Sequence, residues 1–495
     1  MIRGENLGLA DVEETPQELG AIGARDGETL IERWRGRYRA QDVVIQEVAT
    51  GRRVCAGELF EVVERLASVL CAEGVIPGDR IGLVVSNPVR MIEWHLAVLS
   101  LGAVSVPLDA RAPDPDTHAR LEEVDSAVVV GERAWEGPWR VLSADLDPPS
   151  ERVTGPQVLS AATPALMLFT SGTTGRPKGV PLSIANLVAT AGSVVRAWGW
   201  TQQDRLILAL PLYHLHGLGV GVHGSLEAGG CMVVLPRFDP DAVLAEISRT
   251  TMFFGVPTMY HRLLAHGECS ALGRLRLLVS GSAPLPESTF REIEAVTGQR
   301  VLERYGMSEA GMIASNPLDG ERRPGTVGLP LPGVEIRLAA GPESEIEVRG
   351  RSVFGGYWRR PEATSGAFTS DGWFCTGDLG RYDEAGYLEI RGRAKELIIS
   401  GGHNVWPREV EEVIESMPGV REAAVTGAAD PEWGETVVAF VIREGDGVQA
   451  DFVQEWCLAR LARHKVPRRI IFVTTLPRNH MGKLQRHLLG GAAQT

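Results

Sequence analysis

Residues 170–179 read Thr170-Ser171-Gly172-Thr173-Thr174-Gly175-Arg176-Pro177-Lys178-Gly179, directly after an apolar run. Closely spaced glycines let backbone N–H groups approach an oxyanion, hydroxyls add donors, and Lys178 adds charge, so the segment is an anion-cradling loop. It is not a Walker A loop, because Lys178 is followed by Gly179 and not by a hydroxyl residue. A second glycine pattern, Gly219-Val220-Gly221-Val222-His223-Gly224, fits the dinucleotide fingerprint on paper. The segment Pro211–His216 separates it from the preceding apolar run, so the tight strand-to-helix turn is missing and these glycines read as close helix packing. The six cysteines, Cys55, Cys71, Cys231, Cys269, Cys375 and Cys457, form no metal spacing and suggest reduced thiols in a cytoplasmic protein.

These residues must be positioned by a large body. The chain has 495 residues, 44% of them hydrophobic and 23% charged, which suits a globular protein of several domains and excludes a disordered one. Short apolar runs at 81–85, 103–107, 165–170, 205–210, 231–236, 252–257 and 275–280 alternate with helical spacing at 56–72, 92–101, 241–249 and 287–296. That alternation predicts α/β architecture with mainly parallel sheets flanked by helices. Beyond about residue 325 the texture turns to short strands with Gly-rich turns, a β-rich subdomain. A compact α+β pattern follows: helices at 407–416 and 452–462, strands at 421–426, 436–442 and 470–474. The expected division is an N-terminal body, residues 1–392, and a small mobile C-terminal domain, residues 393–495.

The net charge of −13 argues against nucleic acid or an anionic membrane as partner, and no stretch is apolar and long enough for a membrane span. The acidic N-terminus lacks an apolar signal segment. From Cys457 onward, however, eight Lys and Arg residues stand with no acid among them.

The loop at 170–179 resembles the signature of the adenylate-forming superfamily of acyl-CoA synthetases, adenylation domains and luciferases. Further segments are similar to that family's motifs and in its order: Tyr305-Gly306-Met307-Ser308-Glu309, the turn Thr376-Gly377-Asp378, the hinge Gly392-Arg393-Ala394-Lys395-Glu396, and the lysine loop Pro477–Lys483. The resemblance implies ATP-dependent activation of a carboxylic acid as an acyl-adenylate, with pyrophosphate leaving. It implies catalytic roles for Lys483, Glu309, Thr170 and His214, with Thr170, Ser171, Gly172, Thr173, Thr174, Gly175 and Lys178 at the phosphates of ATP. The resemblance also implies that Glu309 holds Mg²⁺, in keeping with this hard ion's preference for carboxylate and phosphate oxygens. Gly281, Ser282, Ala283, Arg304, Tyr305, Gly306 and Ser308 belong to the ATP site, Tyr305 by stacking on the adenine, with Asp378 and Arg393 at the ribose. By the same resemblance Lys395 occupies the hinge position about which the small domain turns, carrying Lys483 in and out. Gly401 and Gly402 then line the passage for coenzyme A, and the basic tail meets phosphates.

The stretches His214–Leu218, Gly255–Arg262, Ser280–Pro284 and Glu303–Met307 look most like malonyl-CoA synthetases. By that resemblance His214, His216, Arg237, Gly255, Ser280, Gly281 and Met307 frame the acyl pocket, and Arg237 meets a second carboxylate. Ser400-Gly401-Gly402-His403-Asn404-Val405-Trp406-Pro407 looks instead like general acyl-CoA synthetases, and Ile399 stands where some relatives carry a lysine. Coenzyme A is the expected acceptor, with an amine or a carrier protein as the alternative. A non-catalytic nucleotide-binding regulator is the remaining one, against which the intact Lys178, Glu309 and Lys483 argue.

Overall fold

A computed structural model describes residues 29–152, 159–170, 177–339, 344–431, 433–445, 447–478 and 484–489. Two large sheets form the body. The nine-stranded one runs, strand beside strand, Leu329–Pro330, Gly311–Ser315, Leu302–Met307, Leu277–Ser280, Met252–Gly255, Arg205–Leu208, Cys231–Val234, Val43–Glu47 and Arg53–Cys55. Its middle strands are parallel and its edges antiparallel. These middle strands are short apolar runs because both faces are covered by helices, so no polar alternation is needed.

The six-stranded sheet has the order Arg140–Ser143, Val128–Gly131, Arg80–Val84, Val104–Pro107, Pro164–Thr170 and Lys178–Ser183. The last pair is an antiparallel hairpin in which Thr170 faces Lys178. The strand 178–183 is not among the expected ones, since Pro181 weakens the pattern; at a sheet edge a missing N–H is tolerated. Residues 171–176 of the phosphate loop lie outside the described residues. The helix Ile184–Ala197 follows, capped reciprocally by Ser183 and Asn186. Asn186 also donates to the carbonyls of Arg351 at 2.8 Å and Val353 at 2.9 Å, tying this helix to the segment that enters the site.

An antiparallel four-stranded sheet, Val334–Leu338, Ser344–Gly350, Phe374–Tyr382 and Leu388–Arg393, forms the β-rich part. The C-terminal part packs the helices Pro407–Glu415 and Ala450–Leu458 on a five-stranded sheet centred on Gly434–Arg443. The architecture is thus the expected mixed α/β body with a smaller, β-rich C-terminal region. The glycine pattern at 219–224 is helical: a π-helix His216–Val222 runs into the helix His223–Ala228, and Gly224 lies so close to the Trp200 ring that a Cβ there would come within 2.6 Å. Among the described residues no helix is long and apolar enough to cross a membrane.

Candidate active site

The parallel strands Met252–Gly255, Leu277–Ser280 and Leu302–Met307 are neighbours, so their carboxyl ends bring Gly255, Ser280 and Arg304 to one edge. This is the edge at which open α/β sheets bind ligands. Next to it the β-rich sheet supplies Asp378. Gly377 takes a left-handed φ of +72°, which turns the chain so that Asp378 is buried, with its own N–H donating to the Thr376 hydroxyl at 3.1 Å. Both carboxylate oxygens are engaged: the Tyr305 hydroxyl donates to one at 2.5 Å and the Arg393 Nε lies 2.7 Å from the other. Burial, and then the charge of Asp378, push the Tyr305 phenol well above its ordinary value and keep it a donor. Tyr305 therefore meets Asp378 through its hydroxyl, an arrangement that simple adenine stacking does not contain.

Glu309 is the second acidic centre, buried on the turn after the Leu302–Met307 strand. Burial raises its carboxyl above the usual range. Its own backbone N–H, the Tyr357 and Thr170 hydroxyls and the Arg393 charge pull it back. Tyr357 donates to Glu309 Oε1 at 3.2 Å, and Lys178 Nζ lies 4.9 Å from the centre of the Tyr357 ring. Four separate segments thus bring together Thr170, Lys178, Glu309 and Tyr357. The sequence motifs do not reveal Tyr357; its only signal is an aromatic after the turn glycines Gly355 and Gly356. A buried carboxylate ringed by hydroxyl oxygens and a cation fits a hard Mg²⁺ ion shared with phosphate oxygens.

The residues expected at the acyl pocket form a cluster different in kind. His216 is fully buried and held neutral, first by burial and then by the Arg304 charge. Ser282 adopts an unusual φ of +69° and sets its Oγ 3.3 Å from His216 Nδ1 and 3.3 Å from Arg304 Nη2. The Arg304 guanidinium lies flat on Gly281, where a Cβ would come within 2.5 Å of it. Arg304, which the family resemblance puts among the ATP residues, thus shares the Ser282 hydroxyl with His216. The His214 ring lies beside that of Tyr213, tilted by 54°, with ring centres 4.5 Å apart. Gly255 makes room for the Phe253 and Tyr260 rings, Gly306 for the Gly311 carbonyl, and Met307 is half-buried against the core. Ser308 and Ala283 are half-buried, and Arg237 is exposed just past its strand.

In the C-terminal region, Gly401 has a φ of +57° and lies under the Trp433 ring, while Gly402 opens to solvent. Lys395 is exposed on the short 3₁₀ turn Ala394–Glu396. Lys483 lies outside the described residues. The basic tail is partly committed elsewhere: Lys465 pairs with Glu409 at 2.6 Å, Arg486 with Glu396 and Glu411, and Arg478 with Glu422. Those cations neutralise acids of their own domain, which reduces what remains for a ligand.

The family model described as AMP-binding enzyme matches residues 31–358, and that of the AMP-binding enzyme C-terminal domain matches residues 409–483. The chain belongs to the AMP-binding enzyme family. The mouse (Mus musculus) mitochondrial malonate–CoA ligase ACSF3 is 33% identical, covering 95% of this chain and 89% of that protein. The indoleacetate–CoA ligase of Aromatoleum aromaticum is also 33% identical, over 88% of this chain and 92% of the relative. The crystal structure of ATP-bound MatB from Rhodopseudomonas palustris superposes with a TM-score of 0.90 at 39% identity, covering 94% of this chain and 99% of that one. The protein is an AMP-forming acid–CoA ligase: it forms an acyl-adenylate from ATP and a carboxylic acid, then a thioester with coenzyme A.

Proposed function

We propose that the acid is a short dicarboxylic acid of the malonate kind. The observation that carries this reading is the polar floor of the acyl side, where Ser280, His216 and Arg304 are buried and each retains a side-chain polar atom without a hydrogen-bond partner. An unpaired buried polar group costs about 1–3 kcal/mol, so a slot for an apolar acid gains nothing from such a lining. Two of the relatives named above, at comparable identity, act on acids as different as malonate and indoleacetate. Overall identity therefore leaves the acid open; the polar lining, and the malonate–CoA ligases among the relatives, support the dicarboxylate.

The residue roles follow from the charges that must meet. A carboxylate oxygen has to approach an α-phosphate although both are negative, so catalysis rests on positioning and on preorganised cations and donors. We assign the phosphates to the loop 170–175 and Lys178, the ribose hydroxyls to Asp378, and the reacting oxygens to Lys483. Glu309, oriented by Tyr357, would hold Mg²⁺, which neutralises phosphate charge when bound. Arg393 and Tyr305, both on Asp378, release or share it when the sugar enters. Residues 1–392 and 393–495 act as two bodies about Lys395, with Gly401 and Gly402 along the path of the coenzyme A arm. The unpaired thiols of Cys55, Cys71, Cys231, Cys269, Cys375 and Cys457 suit a cytoplasmic setting.

The test is mass spectrometry of the products formed from the protein, ATP, Mg²⁺, coenzyme A and a pooled panel of mono- and dicarboxylic acids. A dominant malonyl-CoA or close homologue supports the reading. A dominant monocarboxyl thioester rejects it.

A further inference from the structure

Two histidines of the body take no part in the candidate site. His95, on the helix Pro88–Ser100, and His223, the residue that follows the π-helix His216–Val222, are both 0% exposed. Their Nε2 atoms stand 2.8 Å apart, and His95 Nδ1 lies 2.8 Å from the Ser105 hydroxyl on the strand Val104–Pro107. A nitrogen–nitrogen contact of that length holds one proton, so one ring donates and the other accepts. The Trp34 ring covers His223, with ring centres 4.9 Å apart. Burial holds His223 down to about 3. Burial, and then the neighbouring ring, hold His95 well below its ordinary value, so both rings are neutral at physiological pH.

Packing alone does not account for these rings. An apolar side chain would fill either position without burying ring nitrogens, and His223 Nδ1 is left without a partner. The segment that ends at His223 supplies the reason. A π-helix is rare and normally a single turn, whereas this one runs for seven residues. The Val220 N–H bonds to the Leu215 carbonyl at 2.9 Å, and the His223 N–H to that of Leu218. Gly217, Gly219 and Gly221 lend the segment little helical preference of its own. Rewound as an α-helix, it would turn His216 relative to His223 and carry Nδ1 of His216 off the Ser282 hydroxyl, now 3.3 Å away. Contacts must therefore hold the winding at both ends. At the start the Pro211 carbonyl presses on Gly217, where a Cβ would come within 2.2 Å of it. At the end Gly224 sits against Trp200, and the Ser225 hydroxyl donates to the Gly221 carbonyl at 2.7 Å. The packing is non-directional and the Ser225 bond is internal to the winding. The bond from His223 to His95 is directional, and through Ser105 it refers the π-helix to a strand of the six-stranded sheet.

We propose that His95 and His223, with Ser105, are positioning residues: the buried pair sets the register of the π-helix and thereby presents His216 to the acid. They touch no reacting atom. Fixing one register against apolar alternatives is the best-attested use of a buried polar group. This rests on the reading that His216 lines the acid's pocket, and it names what keeps that residue in place. The glycine pattern at 219–224 acquires a use as well, since its glycines permit the winding and its histidine locks it.

The experiment is pyrophosphate release by the full-length protein, with malonate or whichever acid of the panel the wild type turns over fastest. The variants are His223→Leu, His223→Gln, the triple change His95→Leu/Ser105→Ala/His223→Leu, and His216→Ala as control, each with its melting temperature. His223→Leu should lose about 10–100-fold in kcat/KM for the acid while KM for ATP stays within about twofold. His223→Gln, whose amide can donate or accept near the place of Nε2, should stay within about threefold of wild type. The triple variant strands no polar partner, so its melting temperature should match or exceed that of wild type while the acid defect persists. It decides the matter should His223→Leu not fold. Wild-type acid kinetics in the triple variant overturn the proposal, since the pair would then serve stability alone. Equal losses on ATP and acid in His223→Leu overturn it too, as does a His223→Gln no better than His223→Leu. His216→Ala with wild-type acid kinetics fails the acyl-pocket reading itself, and the purpose of the pair with it. An impaired His216→Ala beside an unimpaired His223→Leu overturns the positioning alone.

Discussion

Asp378 and Arg304 are 5% and 4% exposed, both charged, and both set at the edge where the sheets meet the candidate site. Around Asp378 every interaction is already made: Tyr305 and Arg393 occupy both oxygens, and Thr376 takes its amide. Around Arg304 the interactions are withheld, with a single long bond and three unpaired polar atoms on neighbouring side chains and on Arg304 itself. The Asp378 network, proposed for the nucleotide, is therefore closed, and a ligand would enter it by exchange; the Arg304 surroundings, proposed for the acid, are open, and a ligand would complete them. Completion rewards one chemistry and rejects others, which is the requirement on the side that chooses the acid.

The largest effect should come from outside both networks. Lys483→Ala should slow adenylate formation by about 10²–10³-fold, the scale of removing one preorganised charge from a reacting centre. Transfer to coenzyme A from supplied acyl-adenylate should change little; equal loss in both steps would remove Lys483 from the first. On the closed side, Asp378→Asn keeps the shape but not the charge, and KM for ATP should rise about 10–50-fold with KM for the acid unmoved. A matching rise for the acid would mean that the two networks are one.

Glu303→Gln probes the back of the strand that carries Arg304. The Glu303 carboxyl is raised from 4.5 to about 8 by burial, so the folded state binds the proton more tightly than the unfolded one. Stability is then fully present below about pH 4.5 and falls as pH rises through 8. The amide should stabilise the protein by about 1–2 kcal/mol at pH 9 relative to wild type and add nothing near pH 4, read from denaturant unfolding at both. A pH-independent difference would show that the carboxyl is not the titrating group. The smallest effect belongs to Arg237→Met: an exposed cation is screened by solvent, so KM for a dicarboxylate should rise only about 3–10-fold. A rise well beyond that range would move the choice of acid from the buried floor to this exposed cation.

Much of the site is legible in the amino-acid string because its chemistry sits on contiguous residues. The loop 170–179, the turn 376–378 and the Tyr305–Glu309 segment each bring their functional groups together within a few positions, and a local motif needs no folding to be recognised. The apolar strands are legible too, since strands covered on both faces are uninterrupted runs. The edge strand 178–183 is not, because Pro181 and the flanking polar residues blur the pattern where one side needs no partner. Nor is the π-helix His216–Val222, whose glycines fit two patterns and are explained by the Pro211 carbonyl, Leu215 and Leu208 packed against Gly217, Gly219 and Gly221. Tyr357 escapes such a reading because its partner Glu309 is distant in sequence and reached through long-range ties, from Asn186 and from the Phe354 N–H to the Glu309 carbonyl at 2.8 Å.

The sequence by itself determined that this protein activates an acid through ATP, because that chemistry is written in short ordered segments whose residue types leave few other uses. How the two candidate arginines differ was decided only by the tertiary structure. Arg237 and Arg304 are equally cationic as letters; burial and the absence of a counter-charge arise from how three parallel strands and the 211–224 segment pack together, and no local window contains that information.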